Sequence, residues 1–383
     1  MSNQSIAEQP GDSSAKAAQS PPRKRRELLS IQYMRAIAAV AVLVFHAADR
    51  AGTSFGVGAA GVDIFFVISG FIMWVITARD PLRPAQFLAR RAARIVPLYW
   101  LVTLAVAGTA LALPPLFPNL RPTLGHVGKS LLFYPHADPS GLIAPLIVPG
   151  WTLNYEVFFY AVFAISLSMA VRIRAFALTA VLGFFVLSGH WAPSSDPAWS
   201  TYTSPLLLEF LSGVWLGKAW TDGLLPRPIV GFSSLAVGVA SMVVVTAAGI
   251  DIEPVRLLAW GVPAFLIVAG AVSLDWRGLV PDWPILKFLG DASYSIYLVH
   301  GLAISFCARV LAMIGMSAAP VILLVSVIGG LAVGSGCYQF VERPLMRFFH
   351  RARPKHVAVA TPVAAAFPVE LPGAVSAHSP DAV

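Results

Sequence analysis

Charged residues are scarce in this chain. They make up 12% of its 383 residues, against 57% hydrophobic residues, whereas a soluble domain carries about 25% charged residues. This deficit excludes an ordinary soluble globular protein and predicts an integral membrane protein. The net charge of +8 does not indicate nucleic-acid binding, because Lys and Arg occur in short clusters between apolar runs, as in the cytoplasmic connections of membrane proteins.

Cysteine is rare, and the familiar catalytic signatures are missing. The two cysteines, Cys307 and Cys337, lie within apolar stretches, which argues against both a disulfide framework and a metal site. The sequence contains no GxSxG elbow, Walker loop, dinucleotide fingerprint or metal-ligand spacing. Serine hydrolase, ATPase and Rossmann interpretations therefore have no support, and we predict no metal.

Apolar stretches of membrane-spanning length are abundant. Ten of them predict an all-α polytopic membrane protein. They cover residues 31–48, 59–78, 95–113, 151–170, 174–190, 202–219, 229–248, 256–274, 290–313 and 318–340. Basic residues recur in every second connection, which predicts that both termini are cytoplasmic.

The same pattern predicts the domain organisation. A basic cytoplasmic segment (1–30) precedes a membrane domain (31–350), and the Ala-, Val- and Pro-rich composition of the tail (351–383) predicts disorder. The long outer loop (114–150) is rich in Pro, Gly and His. It is either a rim that faces an acceptor or a poorly ordered connector.

The first apolar stretch carries one cation and one titratable ring. Arg35 and His46 are eleven residues apart, which is about 20° beyond three full helical turns, so both side chains leave the same face. They lie about 16 Å apart along the axis. Ionisable groups within the membrane usually face the interior of a bundle, which indicates a lined pathway. The alternative is a snorkelling Arg at the inner end and an interfacial His at the outer end.

Two carboxylates are expected at the depth of His46. Asp63 lies near the outer start of the second stretch, Glu156 near that of the fourth, and Ser69 near mid-membrane. A carboxylate that binds an imidazole nitrogen increases the basicity of the other nitrogen, as a general base requires. Asp63 could instead be a helix N-terminal acid, and Glu156 a structural partner for a buried cation.

The segment FLARRAARIVPLYW begins the third stretch on the predicted cytoplasmic side. Arg90 and Arg94 share one helical face, and Arg91 lies beside them. Guanidinium groups suit phosphate oxygens, so a phosphate-bearing cytosolic ligand is one hypothesis. The other hypothesis is that these arginines set the topology of the helix and contact anionic lipid. Tyr99, further along, either stacks on a ligand or packs against neighbouring helices.

The ninth stretch contains FLGDASYSIYLVH. Its spacing places Ser293, Tyr297 and His300 on one helical face. His300 falls close to mid-membrane, where an imidazole without a partner is costly. It is therefore either a site residue or a partner in a hydrogen bond within the bundle.

These motifs occur in an order that resembles the acyltransferase-3 family of integral membrane O-acyltransferases, particularly its exopolysaccharide and O-antigen acetylase branch. The resemblance covers about residues 28–350. It rests on the Arg35 and His46 pair and on GVDIFFVISGFIM, RRAARIVPLYW, WTLNYEVFFY, LGDASYSIYLVH and VERPL.

The resemblance implies transfer of an acyl group, usually acetyl, from cytosolic acyl-CoA to a carbohydrate hydroxyl. The implied acceptor is an exopolysaccharide, another cell-surface glycan or a lipid-linked saccharide, and the implied location is the bacterial inner membrane. We assign catalytic roles to Arg35, His46, Asp63 and Glu156, acyl-CoA binding to Arg90, Arg91, Arg94 and Tyr99, and substrate binding to Ser69, Trp151, Tyr297 and His300.

Other functions remain open from the sequence. Charged residues within the membrane would equally suit a transporter or flippase of a lipid-linked saccharide, although paired broken helices and inverted repeats are missing. A non-catalytic partner in polysaccharide assembly is a third possibility. The same fold could also transfer succinyl instead of acetyl.

Overall fold

The computed structural model describes residues 28–79, 82–117, 120–138 and 141–351. Most of the basic segment predicted over 1–30, and almost all of the tail predicted to be disordered, lie outside these residues. Within them the regular structure is helical, apart from one isolated antiparallel bridge between Ala137 and Ile143. The predicted all-α polytopic fold is therefore confirmed.

Thirteen α-helices make up this described part of the chain. They are α1 (Leu29–Arg50), α2 (Gly61–Arg79), α3 (Pro84–Ala112), α4 (Leu124–Leu131), α5 (Trp151–Ser166), α6 (Val171–Trp191), α7 (Pro197–Tyr202), α8 (Leu207–Thr221), α9 (Pro228–Ala247), α10 (Val262–Trp276), α11 (Pro284–Met313), α12 (Ala319–Cys337) and α13 (Arg343–Arg351). Two π-helical turns, Leu257–Gly261 and Tyr338–Glu342, lead into α10 and α13. The first turn extends α10 at its start, and the second joins α12 and α13 into one continuous helix.

Eight helices of the described residues are long and apolar enough to cross a membrane, where ten were expected. They cover Leu29–Arg50, Gly56–Ala78, Pro84–Ala112, Val171–Trp191, Pro228–Ala247, Leu257–Trp276, Pro284–Met313 and Ala319–Phe349. The stretches predicted over 151–170 and 202–219 form α5 and α8, which have 16 and 15 residues. About 20 residues are needed to cross the hydrocarbon core, so these two helices fall short. The cytoplasmic placement of both termini stays a prediction.

Helix α2 is the central helix of the bundle. In its most apolar window 78% of the residues are buried, against 17% for α9, as expected of a helix that is apolar all round. It packs closely on α8, because a Cβ at Gly70 would lie 1.9 Å from the Phe210 carbonyl oxygen, and one at Gly213 would lie 2.0 Å from that of Val67. Glycine therefore permits this backbone contact, as is common between membrane helices.

Helix α1 is held between α10 and α11 at its first turn. The Asp275 carboxylate accepts hydrogen bonds from both the backbone N–H and the hydroxyl of Ser30, each at 2.9 Å. This contact satisfies an N–H that the first turn leaves without a helical partner. A Cβ at Gly290 would lie 2.2 Å from the Gln32 carbonyl oxygen. The first contact sets the height of α1 against α10, and the second sets it against α11.

The predicted outer loop is attached to α3 in its described part. The Trp100 indole donates to the Leu131 carbonyl oxygen at 2.8 Å, and the Tyr99 and Phe133 rings stack at 4.9 Å. Within the loop, the buried rings of His126 and His136 meet edge to face at 5.0 Å.

Candidate active site

A cavity of about 290 Å³ lies between α1, α2, α3, α5 and α11. Its wall contains the side chains of Arg35, Val62, Phe65, Phe66, Ile68, Ser69, Ile72, Met73, Ile76, Arg91, Arg94, Ile95, Thr152, Leu153, Glu156, Tyr160, Ser293, Tyr294 and Tyr297. The wall is mostly apolar with a few polar groups from different helices, as in small-molecule sites.

Three arginines give the cavity its charge. Arg35, Arg91 and Arg94 line it, and Glu156 is the only carboxylate among its described lining residues, so three positive charges less one negative leave a formal excess of two. Arg35 is held in place, because its Nη2 donates to Ser293 Oγ at 2.8 Å and its Nη1 to Gln32 Oε1 at 3.2 Å. Such a cavity suits an anionic ligand.

Arg91 and Arg94 reach the cavity, whereas Arg90 does not. The Nε atom of Arg91 is buried and has no hydrogen-bond partner among the described residues. An unpaired buried donor is costly, which makes it a candidate to bind a ligand oxygen. Arg90 is exposed and lies outside the cavity wall. Of the two arginines predicted to share a helical face, only Arg94 lines the cavity, and it does so together with Arg91.

Glu156 is bound by two hydroxyl groups inside the cavity. Its Oε1 accepts from Ser69 Oγ of α2 at 3.1 Å and from the Tyr160 hydroxyl one turn along α5. These donors fix the orientation of the carboxylate. Tyr160 was missed from the sequence, although its position four residues after Glu156 is a signal that could have identified it.

Asp63 is fully buried and forms an ion pair with Arg256. Its two oxygens accept from Arg256 Nε and Nη2, each at 3.1 Å, which is the bidentate geometry of a strong pair. The guanidinium carbon also lies 5.9 Å from the centre of the Trp151 ring and 5.3 Å from that of Trp260. The carboxylate predicted to orient His46 is thus bound by a guanidinium.

A second buried acid adjoins this pair. Glu209 is 1% exposed and lies beside Asp63 and Arg256, whose charges both act on its carboxyl group. Neither Glu209 nor Arg256 was predicted as a functional residue from the sequence. Arg256 is the first residue of the stretch predicted over 256–274, and an Arg at the start of an apolar stretch is itself a signal.

His46 lies outside the cavity and meets His300. It is exposed near the end of α1, and its ring centre lies 5.0 Å from that of the buried His300. Tyr297 lines the cavity and lies 5.7 Å from His300. The rings of Tyr297, His300 and His46 therefore form a series from the cavity wall outward. Ser293 and Tyr297 both line the cavity from α11. His300 lies further along the same side of that helix.

Two other predicted site residues lie beside the cavity. Tyr99 is fully buried against Phe133 and is not among the cavity residues. Trp151 is half-buried at the start of α5 and packs edge to face on Phe66, a cavity residue, at 6.5 Å. Tyr99 therefore lies apart from the arginines with which it was grouped.

Comparison with known proteins identifies the class. The acyltransferase-3 family, described as an acyltransferase domain, matches residues 28–338, and the chain belongs to this family. No solved structure gives a significant match.

Several relatives cover most of the chain. It is 45% identical to the exopolysaccharide production protein ExoZ of Rhizobium meliloti (strain 1021) over 310 residues, which are 80% of this chain and 95% of the relative. It is 29% identical to the acyltransferase MdmB of Streptomyces mycarofaciens, covering 87% and 95% of the two chains. It is 26% identical to the peptidoglycan O-acetyltransferase OatA of Listeria monocytogenes, covering 84% and 56%. The protein is a multi-pass membrane O-acyltransferase.

Proposed function

We propose that this enzyme transfers an acyl group, acetyl in the simplest case, from cytosolic acyl-CoA to a hydroxyl of an exopolysaccharide at the bacterial inner membrane. One observation carries the proposal. A cavity with three arginines on its wall is followed, beyond Tyr297, by two imidazoles that lead to the bundle surface. The names of ExoZ and OatA, which refer to exopolysaccharide production and O-acetylation of peptidoglycan, support a glycan acceptor.

The donor would bind through its phosphates. Arg91 and Arg94 offer guanidinium forks, and the unpaired Nε of Arg91 offers one more N–H. A volume of about 290 Å³ is at the low end for ligand sites. It suits the thioester arm with a short acyl group, and the adenosine would remain outside the cavity. Arg35, held by Ser293 and Gln32, would add a third guanidinium for the donor's phosphates.

The acceptor would be activated from the opposite side. His46 lies one turn before the end of α1, so a bulky glycan could approach it at the predicted outer surface. As general base, it would take the proton of the attacking hydroxyl. Direct transfer and a short-lived acyl-histidine both fit this arrangement. Glu156 would not contact His46; it would hold the hydroxyl groups of Ser69 and Tyr160 inside the cavity.

The test is the His46→Ala variant in cells whose own gene is deleted. Mass spectrometry of the surface polysaccharide identifies the acyl group and the modified sugar together, and so distinguishes acetyl from succinyl. We expect export to continue while ester-linked acyl groups disappear. Export that fails with an unchanged acyl content per repeat would instead establish a transporter or flippase.

A further inference from the structure

His46 has an imidazole, rather than a carboxylate, as its neighbour. The two carboxylates expected beside it are bound elsewhere, Asp63 by Arg256 and Glu156 by two hydroxyl groups. The His300 ring, by contrast, lies 5.0 Å from the His46 ring with a tilt of 31° between their planes. This contact joins α1 to α11 beyond the outer end of the cavity.

The hydrogen bond of His300 defines its tautomer. Its Nδ1 bonds to the backbone carbonyl oxygen of Tyr297, one turn earlier in α11. A carbonyl oxygen can only accept, so Nδ1 carries the hydrogen, and in the neutral ring Nε2 holds the lone pair. His300 is 2% exposed, which limits rotation of the ring. It is an oriented base beside His46.

Within the described part of the chain, the ring and charge contacts of the two imidazoles come from α1 and α11. On α1, Phe45 packs edge to face on His46 at 4.8 Å, and Asp49 is the charged residue that acts on it from the same helix. On α11, His300 has Tyr297 as its ring neighbour at 5.7 Å. Two imidazoles at contact distance resist carrying a proton each, because like charges repel.

We propose that His300 is the positioning residue for His46, and that the two imidazoles hold a single proton between them during transfer. This proposal rests on the proposed function. The acceptor oxygen bonds to the acyl carbon and the carbon–sulfur bond breaks. The hydroxyl proton moves to His46, is shared with Nε2 of His300, and finally returns to the leaving CoA sulfur. The role of His300 is then to orient a base, and not to bind substrate as the sequence suggested.

The test uses the full-length protein in native membranes and compares His300→Asn with a matched control. Asn can still donate to the Tyr297 carbonyl oxygen, but it lacks Nε2. Phe45→Leu is the control, because it alters another ring in contact with His46 without removing a titratable group. We expect His300→Asn to lower ester-linked acyl content about tenfold or more at equal protein abundance, and Phe45→Leu to leave it near wild type.

A second readout separates positioning from a structural role. Diethyl pyrocarbonate modifies unprotonated imidazole, so peptide mass spectrometry across pH gives a titration midpoint for His46. We expect this midpoint to move by about one pH unit in His300→Asn and to stay in place in Phe45→Leu. If His300→Asn does not accumulate, His300→Gln is measured in the same two ways.

The outcomes are distinct. Wild-type transfer in His300→Asn, or reduced transfer with an unmoved His46 midpoint, overturns the proposal. Loss of transfer in His46→Ala together with wild-type transfer in His300→Asn overturns the proposal alone and leaves the proposed function intact. Full acylation in His46→Ala would overturn the proposed function itself.

Discussion

Removing either partner of the ion pair between Asp63 and Arg256 should strongly destabilise this bundle. Asp63 has no exposed surface, and the Arg256 side chain is 14% exposed. Removing one partner leaves a buried charge without compensation, which costs about 3–5 kcal/mol. At about 2 °C per kcal/mol, the unfolding midpoint of Arg256→Met should fall by about 6–10 °C.

The double variant gives the sharper test. Asp63→Asn with Arg256→Met leaves neither charge buried, so its loss of stability should be smaller than the sum of the two single losses by about 2 kcal/mol or more. Thermal unfolding of the detergent-solubilised protein measures all three variants. Arg309→Met is the matched control, because Arg309 is a half-buried cation whose hydrogen bonds, within the described residues, go to the Pro115 and Leu116 carbonyl oxygens and not to a carboxylate. Additive losses, or an Arg256→Met variant as stable as this control, would refute the reasoning.

Two further predictions concern the donor site and the outer loop. Arg91→Ala and Arg94→Ala should each raise the acyl-CoA concentration for half-maximal transfer about tenfold or more, since a hydrogen bond to a charged group contributes about 1.5–3 kcal/mol. The assay is the incorporation of labelled acetyl into polysaccharide by isolated membranes. Arg90→Ala, at an exposed position, is the control. Burial lowers the pKa of His126. As pH falls, His126 is therefore protonated in the unfolded chain before it is protonated in the folded protein, and stability should fall as pH drops below about 6.5. His126→Gln should flatten that decline in the unfolding midpoint between pH 7.5 and 5.5, whereas the exposed His190→Gln should not.

Helical geometry predicted that Arg35 and His46 share one face of α1. Arg35 and His46, about 20° apart in projection, both contact α11, the first through Ser293 and the second through His300. This prediction needed only the spacing of two residues on one helix. The partners themselves lie more than 250 residues away along the chain, and nothing in the local pattern of α1 indicates which helix it packs against.

Residue depth was a weaker guide than helical face. The sequence indicated that His46, Asp63 and Glu156 share a depth, and depth follows from the rise per residue alone. Whether groups at one depth meet depends also on how each helix is rotated about its axis. In α2, whose surface is apolar all round, the hydrophobic pattern does not report that rotation. That Arg256 pairs with Asp63 could therefore be found only from the packing of α2 against the helices around it.

The rotation of α2 explains why one helix serves two purposes. Asp63 and Ser69 are six residues apart, so their side chains diverge by about 120°. Asp63 points to Arg256, and Ser69 points into the cavity and binds Glu156. Loss of the first contact should therefore reduce the stability of the bundle. Loss of the second, as in Ser69→Ala, should reduce acyl transfer with little change in the unfolding midpoint, because a typical hydrogen bond contributes about 1 kcal/mol and Tyr160 still binds the carboxylate.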